Sequence, residues 1–219
     1  MKLFITRHGH RNDDWDVKGV PNGVKGSPHK PFCPAARPLD PDISSVGEFQ
    51  ATDTGKYLKD KDIKVIYASP FFRTVHTAAN IAAEVKAPVR LEWGVAEAFY
   101  PPTFSLWPGT MCDPMLKKTF PCIEDHPQTG VLPVAPEDQW QTHERAKQTT
   151  KILVDRHPNE NILIVTHGAL LIHIPITLAG WGVADYNCPL CGLTEMSNDD
   201  GSWKVVKSAD VSHLQWTKV

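Results

Sequence analysis

The sequence predicts an α/β domain of three layers, a mostly parallel sheet with helices on both faces. Two observations carry this expectation. Three short runs, "LFI" (3–5), "VIY" (65–67) and "ILIV" (162–165), are apolar without polar alternation, the pattern of strands buried on both faces. Segments of helical periodicity stand between and after them, as parallel strands require of their crossovers. A chain of 219 residues, 41% hydrophobic, suits one domain over 1–219 with a substantial core.

Taken in order, the first strand is "LFI", and a helix is expected over about 45–59, opened by the capping-box pattern Ser45-Val46-Gly47-Glu48. After "VIY", Ser69-Pro70 offers an N-cap and a first-turn proline to "PFFRTVHTAANIAAEV", where Phe71, Val75, Ala79 and Ala82 recur at helical spacing. "VRLEW" reads as a further strand. A helix over about 137–156 follows Pro136, with Glu137 and Asp138 suited to its positive end. "HGALLIHIPITLAG" is apolar nearly all round, and Pro175 is expected to bend it or end it early. "GLTEMS" and "SWKVVK" flank the turn-like "NDDG" and read as a hairpin or edge strands. Fourteen of the 19 prolines fall in 12–43 and 98–136, together with Trp15, Phe32, Phe99, Tyr100, Phe104, Trp107 and Phe120. These segments are expected to be irregular insertions, lids or binding loops, on the one core.

Composition excludes several classes of function. A net charge of -2 gives no basic footprint for nucleic acid. No apolar run is long enough to span a bilayer, and "KLFIT" after Met1 is too short for a signal peptide. Five scattered cysteines, an odd number, argue for reduced thiols and a cytoplasmic protein. No nucleic-acid or membrane partner is expected, and a homodimer stays open.

In an open parallel sheet ligands bind beyond the carboxyl ends of the strands. Those ends here read Thr6-Arg7-His8-Gly9-His10-Arg11, Ser69-Pro70 with Arg73 one turn on, and Thr166-His167-Gly168. Arginine forks and helix N-termini brought to one sheet edge make an anion site, most naturally for a phosphate ester. A metal site is the rival, because His8-x-His10 is half of a His-x-His-x-Asp-His ligand run. Asn12 and Asp13 break that run, and Arg11 would stand against the cation. Cys188-Pro189-Leu190-Cys191 lacks a second pair at zinc spacing and reads as two small buried hydrophobes. His76 and His173 lie on apolar helices as core or supporting residues, and "KYLKDKDIK" reads as a solvated helix end.

"TRHGHR", "RPLDPDISSVGEFQATDTG", "ASPFFRTVHTA" and "VTHG", in that order, resemble the signature set of the histidine phosphatase superfamily, also called phosphoglycerate mutase-like. "ARPLDPDISSVG" and "LEWGVAEAF" are most similar to phosphatase domains of the suppressor-of-T-cell-receptor-signalling and ecdysteroid-phosphate phosphatase type. The resemblance implies a phosphomonoester hydrolase that needs no metal or other cofactor and acts on a small-molecule or protein substrate. It implies His8 as the nucleophile that becomes a phosphohistidine, with Arg7, Arg11 and Arg73 clamping the phosphoryl group and His167 as the second pocket histidine. It also implies a carboxyl proton donor, for which Glu97 and Glu92 are the candidates. Spacing after "VRLEW" favours Glu97, whose pKa Phe99 and Tyr100 are expected to raise by desolvation, leaving Glu92 as a strand-end salt-bridge partner. His10 stands where the family often has another polar residue, and reads either as a substrate contact at the pocket mouth or as a solvated loop histidine.

A mutase of the same family is the main alternative. Such enzymes retain a bisphosphorylated intermediate and need basic lid residues, whereas 98–136 holds only Lys117 and Lys118. A non-catalytic interaction module is a further alternative, set against the presence of Arg7, His8, Arg73 and His167 together.

Overall fold

The computed structural model describes residues 1–12, 39–102, 113–180, 182 and 187–215. Trp15, Phe32, Phe104 and Trp107, along with Asp13, Cys33 and Cys112, lie outside the described residues. Six strands form one sheet: β1 (Lys2–Arg7), β2 (Ile63–Ala68), β3 (Val89–Leu91), β4 (Asn161–Thr166), β5 (Leu193–Ser197) and β6 (Lys204–Asp210). Their order across the sheet is β3-β2-β4-β1-β5-β6. The first four are parallel, and β5 and β6 join as an antiparallel hairpin at one edge.

The apolar strands divide their side chains between two faces with the period of two that pleating imposes. On one face Phe4, Ile66, Leu163 and Val165 pack with Ala51, Leu58, Val75 and Ile81 from helices α1 (Ser45–Leu58) and α2 (Phe72–Val85). On the other, Leu3, Ile5, Val65, Ile162 and Ile164 pack with Ala146, Leu153, Leu170 and Ile174. Those partners come from α4 (Gln139–Arg156) and α5 (Gly168–Ala179). The three-layer architecture expected from the apolar runs is therefore present.

Several local expectations are corrected. The N-cap of α1 is Ser44, one residue earlier than the capping box proposed, and its Oγ accepts from the Gly47 N–H. Ser69 does not cap α2. That helix starts at Phe72 after Phe71, which makes no side-chain cap bond, and the Phe72 N–H donates instead to buried Asp40 Oδ1 at 2.7 Å. A carboxylate from a distant loop thus does the capping and supplies negative charge at the helix N-terminus. The α4 cap is Asp138, in a capping box with Gln141. Pro175 does not end α5, which runs on to Ala179, because the buried Leu170, Leu171, Ile174 and Ile176 hold it by packing. The 98–136 segment is not wholly irregular: it contains α3 (Asp113–Thr119), and its Leu116 and Ile123 are part of the core.

Candidate active site

The parallel ladders continue one residue past the strands. The His8 N–H donates to Thr166 O at 3.0 Å, Ser69 N–H to Val165 O at 3.1 Å and Glu92 N–H to Ala68 O at 2.9 Å. Because Arg7 is in register with Thr166, the next residues on each strand, His8 and His167, stand side by side with ring centroids 5.5 Å apart. Sequence positions separated by most of the chain meet because their strands are neighbours.

Close approach of α1 shapes the first strand end. A Cβ at Gly9 would lie 2.7 Å from Gly47 O, so the helix start rests directly on the loop backbone. The Ser44 N–H donates to His10 O at 2.7 Å and the His10 N–H to Gln50 Oε1 at 2.9 Å, closing the same junction. His10 is accordingly not a solvated loop histidine. It is buried, with Nδ1 against Ser44 Oγ at 2.7 Å, and it braces the helix start.

His8 is buried, and its Nδ1 lies 2.8 Å from the carbonyl of Gly9. A carbonyl only accepts, so Nδ1 carries the proton and Nε2 keeps its lone pair. Burial pushes the His8 imidazolium well below its ordinary value of 6.5, and Arg73, His167 and Arg7 push the same way. The ring is held neutral in one tautomer, the state in which an imidazole nitrogen attacks an electrophile.

Arg73 is 2% exposed and stacks over Phe71 at 4.6 Å. Its Nη2 donates to Glu97 Oε2 at 3.2 Å and its Nη1 to Leu39 O at 3.3 Å, with Asp40 Oδ1 3.9 Å away. Arg7 donates through Nη1 to Cys188 O at 2.6 Å and lies beside Gly168, at the start of α5. Arg11 forms a bridge with Ile43 and is close enough to Arg73 to repel its charge. His167 places Nδ1 3.1 Å from Glu97 Oε2 and Nε2 2.8 Å from Ser69 Oγ. Burial brings its pKa down to about 4, with Glu97 opposing and Arg73 reinforcing. Arg7, His8, Arg73, His167 and Glu97 therefore converge, and Arg11 flanks them.

The expected rise in the Glu97 pKa is not found. Burial does push the carboxyl up, but His167, Arg73 and His8 outweigh it and hold the group well below 4.5. Phe99 packs edge-on against Phe71, and the charges facing Glu97 decide its ionisation. Among the described residues Glu92 makes no salt bridge, contrary to expectation. It is buried and accepts from the N–H of Gly94 at 2.8 Å and from the N–H and O–H of Thr129, each at 2.8 Å. Its role is to fasten the 129 region to the sheet.

Sequence reasoning missed Asp40, Ser69 in its contact with His167, and Thr77, whose Oγ1 accepts from the Gly9 N–H at 3.0 Å. It also missed a buried ion pair, in which Arg145 Nε donates to Glu137 Oε1 at 2.7 Å. One signal for that pair was present: Thr142, Arg145, Ala146, Thr149 and Leu153 form the buried stripe of α4, and an arginine on such a stripe needs a buried anion. Cys191 is buried and Cys188 half-buried, just ahead of β5. His76 is half-buried, with Nδ1 2.7 Å from Asp42.

Comparison with known proteins identifies relatives and a shared fold. Among curated proteins, the 55 kDa subunit of transcription factor tau from Saccharomyces cerevisiae is 29% identical over 88% of this chain and 43% of its own length. The ecdysteroid-phosphate phosphatase of Drosophila melanogaster is 24% identical over 94% of this chain and 32% of its own length. The chain thus spans less than half of these two relatives. Phosphoserine phosphatase 1 of Hydrogenobacter thermophilus is 27% identical, covering 76% of this chain and 71% of that protein. Among solved structures, the ecdysone phosphate phosphatase of Bombix mori in complex with tungstate superposes with a TM-score of 0.73 at 20% identity, covering 94% of this chain and 92% of that one, which shows the same fold. The model of the histidine phosphatase superfamily, branch 1, matches residues 3–211, and the chain belongs to that family.

Proposed function

We propose that the protein hydrolyses a phosphomonoester through a phosphohistidine on His8. The observation that carries this reading is the neutral, tautomer-fixed His8 set among Arg7, Arg73 and His167. The His8 Nε2 lone pair attacks phosphorus in line with the leaving oxygen, the P–O bond breaks, and the guanidinium groups take up the charge on the equatorial oxygens. Glu97 protonates the departing oxygen. Its proton arrives with the substrate, because a bound phosphoryl anion offsets the Arg73 charge that otherwise keeps the carboxyl ionised. In the second step the Glu97 carboxylate takes a proton from water, the water oxygen bonds to phosphorus, the P–N bond breaks and His8 is restored.

Phosphatase action is favoured over mutase action by a cavity of about 400 Å³ lined in part by Tyr100, Trp140, Ala169 and Ile172. Ala169 follows the Gly168 that abuts Arg7, and Tyr100 is near enough to feel the charge of Glu97. A chamber there with aromatic and apolar walls, and with Gln139, His143 and His173 also in its lining, suits a bulky, weakly charged leaving group. The arginines carry the anion-binding role that a metal would otherwise fill, so activity is expected to survive exhaustive chelation. Loss to chelator with rescue by zinc or manganese would refute that. A cytoplasmic location fits the free thiols of Cys122, Cys188 and Cys191. Among the described residues no helix is long and apolar enough to cross a membrane.

His8→Ala assayed with p-nitrophenyl phosphate tests the whole reading. Turnover should vanish, and mass spectrometry of the acid-labile phosphoenzyme should place the phosphoryl group on His8 of the wild type only. Activity untouched by the substitution sinks the mechanism. No turnover by the wild type across a panel of phosphomonoesters leaves the interaction-module alternative instead.

A further inference from the structure

The proton donor sits on a loop with no regular structure after Val95, yet proton transfer needs its carboxyl held within a few tenths of an ångström. What fixes that loop is the buried pair Arg145–Glu137. All five N–H donors of Arg145 are used. Nε and Nη2 form a fork on the two carboxylate oxygens of Glu137 at 2.7 and 2.8 Å. Nη1 donates to Gly94 O and Ala96 O, both at 3.0 Å, and Nη2 also donates to Glu97 O at 3.0 Å. Glu137 completes the frame, its Oε2 accepting from the Phe99 N–H at 3.1 Å and its own N–H donating to Phe99 O at 2.8 Å. Gly94 lets the loop lie flush on α4, since a Cβ there would fall 2.1 Å from Thr149 Oγ1.

Building on the assignment of Glu97 as proton donor, we propose that the Arg145–Glu137 pair is the positioning device for that carboxyl. It pins the carbonyls of Ala96 and Glu97 and both backbone polar groups of Phe99, so the φ and ψ of residue 97 have no freedom to swing the side chain off Arg73 and His167. The device needs an arginine. A lysine keeps the charge but has neither the planar fork nor enough donors for five acceptors. Both partners are nearly inaccessible to solvent, and the hydrogen bonds of Arg145 outside the pair all go to carbonyls of the 94–97 segment that carries Glu97.

A staple that merely holds α4 to the loop would affect all substrates alike, whereas a positioning device affects those that need a proton. The test compares kcat/KM of the full chain for p-nitrophenyl phosphate, whose leaving group departs without a proton, and phenyl phosphate, whose leaving group needs one. Arg145→Lys is expected to lose about 10- to 100-fold on phenyl phosphate and less than about 3-fold on p-nitrophenyl phosphate, with inhibition by orthovanadate unchanged. Glu137→Gln, which keeps one acceptor oxygen, should show the same selectivity to a smaller degree and serves if Arg145→Lys fails to fold. Equal losses on both substrates, no loss on either, or failure of both variants to fold overturns the proposal. Glu97→Gln run in parallel separates the two assignments. If it shows no leaving-group selectivity, the proton-donor assignment fails; if it shows selectivity and the Arg145 and Glu137 variants do not, only the positioning role fails.

Discussion

Gly9→Ala places a methyl group against backbone that has no rotamer with which to move aside. The new Cβ would stand 2.7 Å from Gly47 O, 2.9 Å from Gly47 Cα and 3.0 Å from Gly47 C. Carbon atoms settle roughly 3.5–4.0 Å apart, so the start of α1 must retreat by roughly 0.6–1.1 Å. Overpacking of that kind costs about 1–3 kcal/mol. The retreat also loosens the bonds from Ser44 N–H to His10 O and from His10 N–H to Gln50 Oε1, each worth roughly 0.5–1.5 kcal/mol. The sum, about 2–6 kcal/mol, corresponds to a fall in Tm of roughly 4–24 °C for a domain of this size. Because the Gly9 carbonyl holds the His8 tautomer, kcat for p-nitrophenyl phosphate should also fall by about 100-fold, the penalty for misplacing a reacting group by ~1 Å. Gly182→Ala, with nothing within 4 Å of the added Cβ, is the control and should stay within about 0.5 kcal/mol of wild type. Wild-type melting and turnover in Gly9→Ala would refute the reasoning.

The depressed pKa keeps His8 neutral as pH falls, so under the proposed mechanism the acid limb of kcat/KM should have its midpoint below pH 6.5; a midpoint at or above that value contradicts the electrostatics. Burial brings His126, His167 and His173 down to about 4, whereas the unfolded chain takes up these protons near 6.5. Their contribution to stability is thus complete above pH 6.5 and drains as pH falls towards 4, so Tm should drop steadily through that window in scanning calorimetry, and a flat Tm there refutes the assignment. Asp40→Ala removes the acceptor for the Phe72 N–H and should cost about 1–2 kcal/mol, while Asp40→Asn keeps an oxygen in place and should recover most of it in thermal melts. Equal destabilisation of the two variants would mean that Asp40 acts through its charge on Arg73 and not through the cap.

The parts of the site legible in the sequence are those fixed by strand order and local pattern. Arg7 and His8 on β1, Arg73 on α2 and His167 at the head of α5 follow from apolar runs that end in chemically distinctive residues. The preference for Glu97 over Glu92 comes from its match to the family position after "VRLEW"; in the structure Glu97 faces Arg73 and His167, whereas Glu92 binds Gly94 and Thr129. What sequence could not supply are contacts between side chains that only the folded backbone brings within reach. The ionisation of Glu97 depends on Arg73 and His167 standing within 3.2 Å, which no count of neighbouring aromatics reveals. Two adjacent serines, Ser44 and Ser45, are equally good caps on paper. The choice between them is made by Gly47, which must lie against His10, where an added Cβ would fall 2.4 Å from the His10 carbonyl. Pro175 obeyed tertiary packing over local propensity, as helices with a buried face commonly do.

The order of strands sets when the site comes into being. β1 leads directly into His8 and precedes the other described strands in sequence, yet its two neighbours are β4 and β5. β1 therefore has its first ladder only with Asn161–Thr166 and its second only with Leu193–Ser197. The pairings that finally enclose it are among the most distant in the chain, the kind that form late because loop closure must come first. His8 is thus aligned with His167 only by a pairing of large sequence separation, and a fragment ending before β4 would carry "TRHGHR" without the histidine that stands beside it.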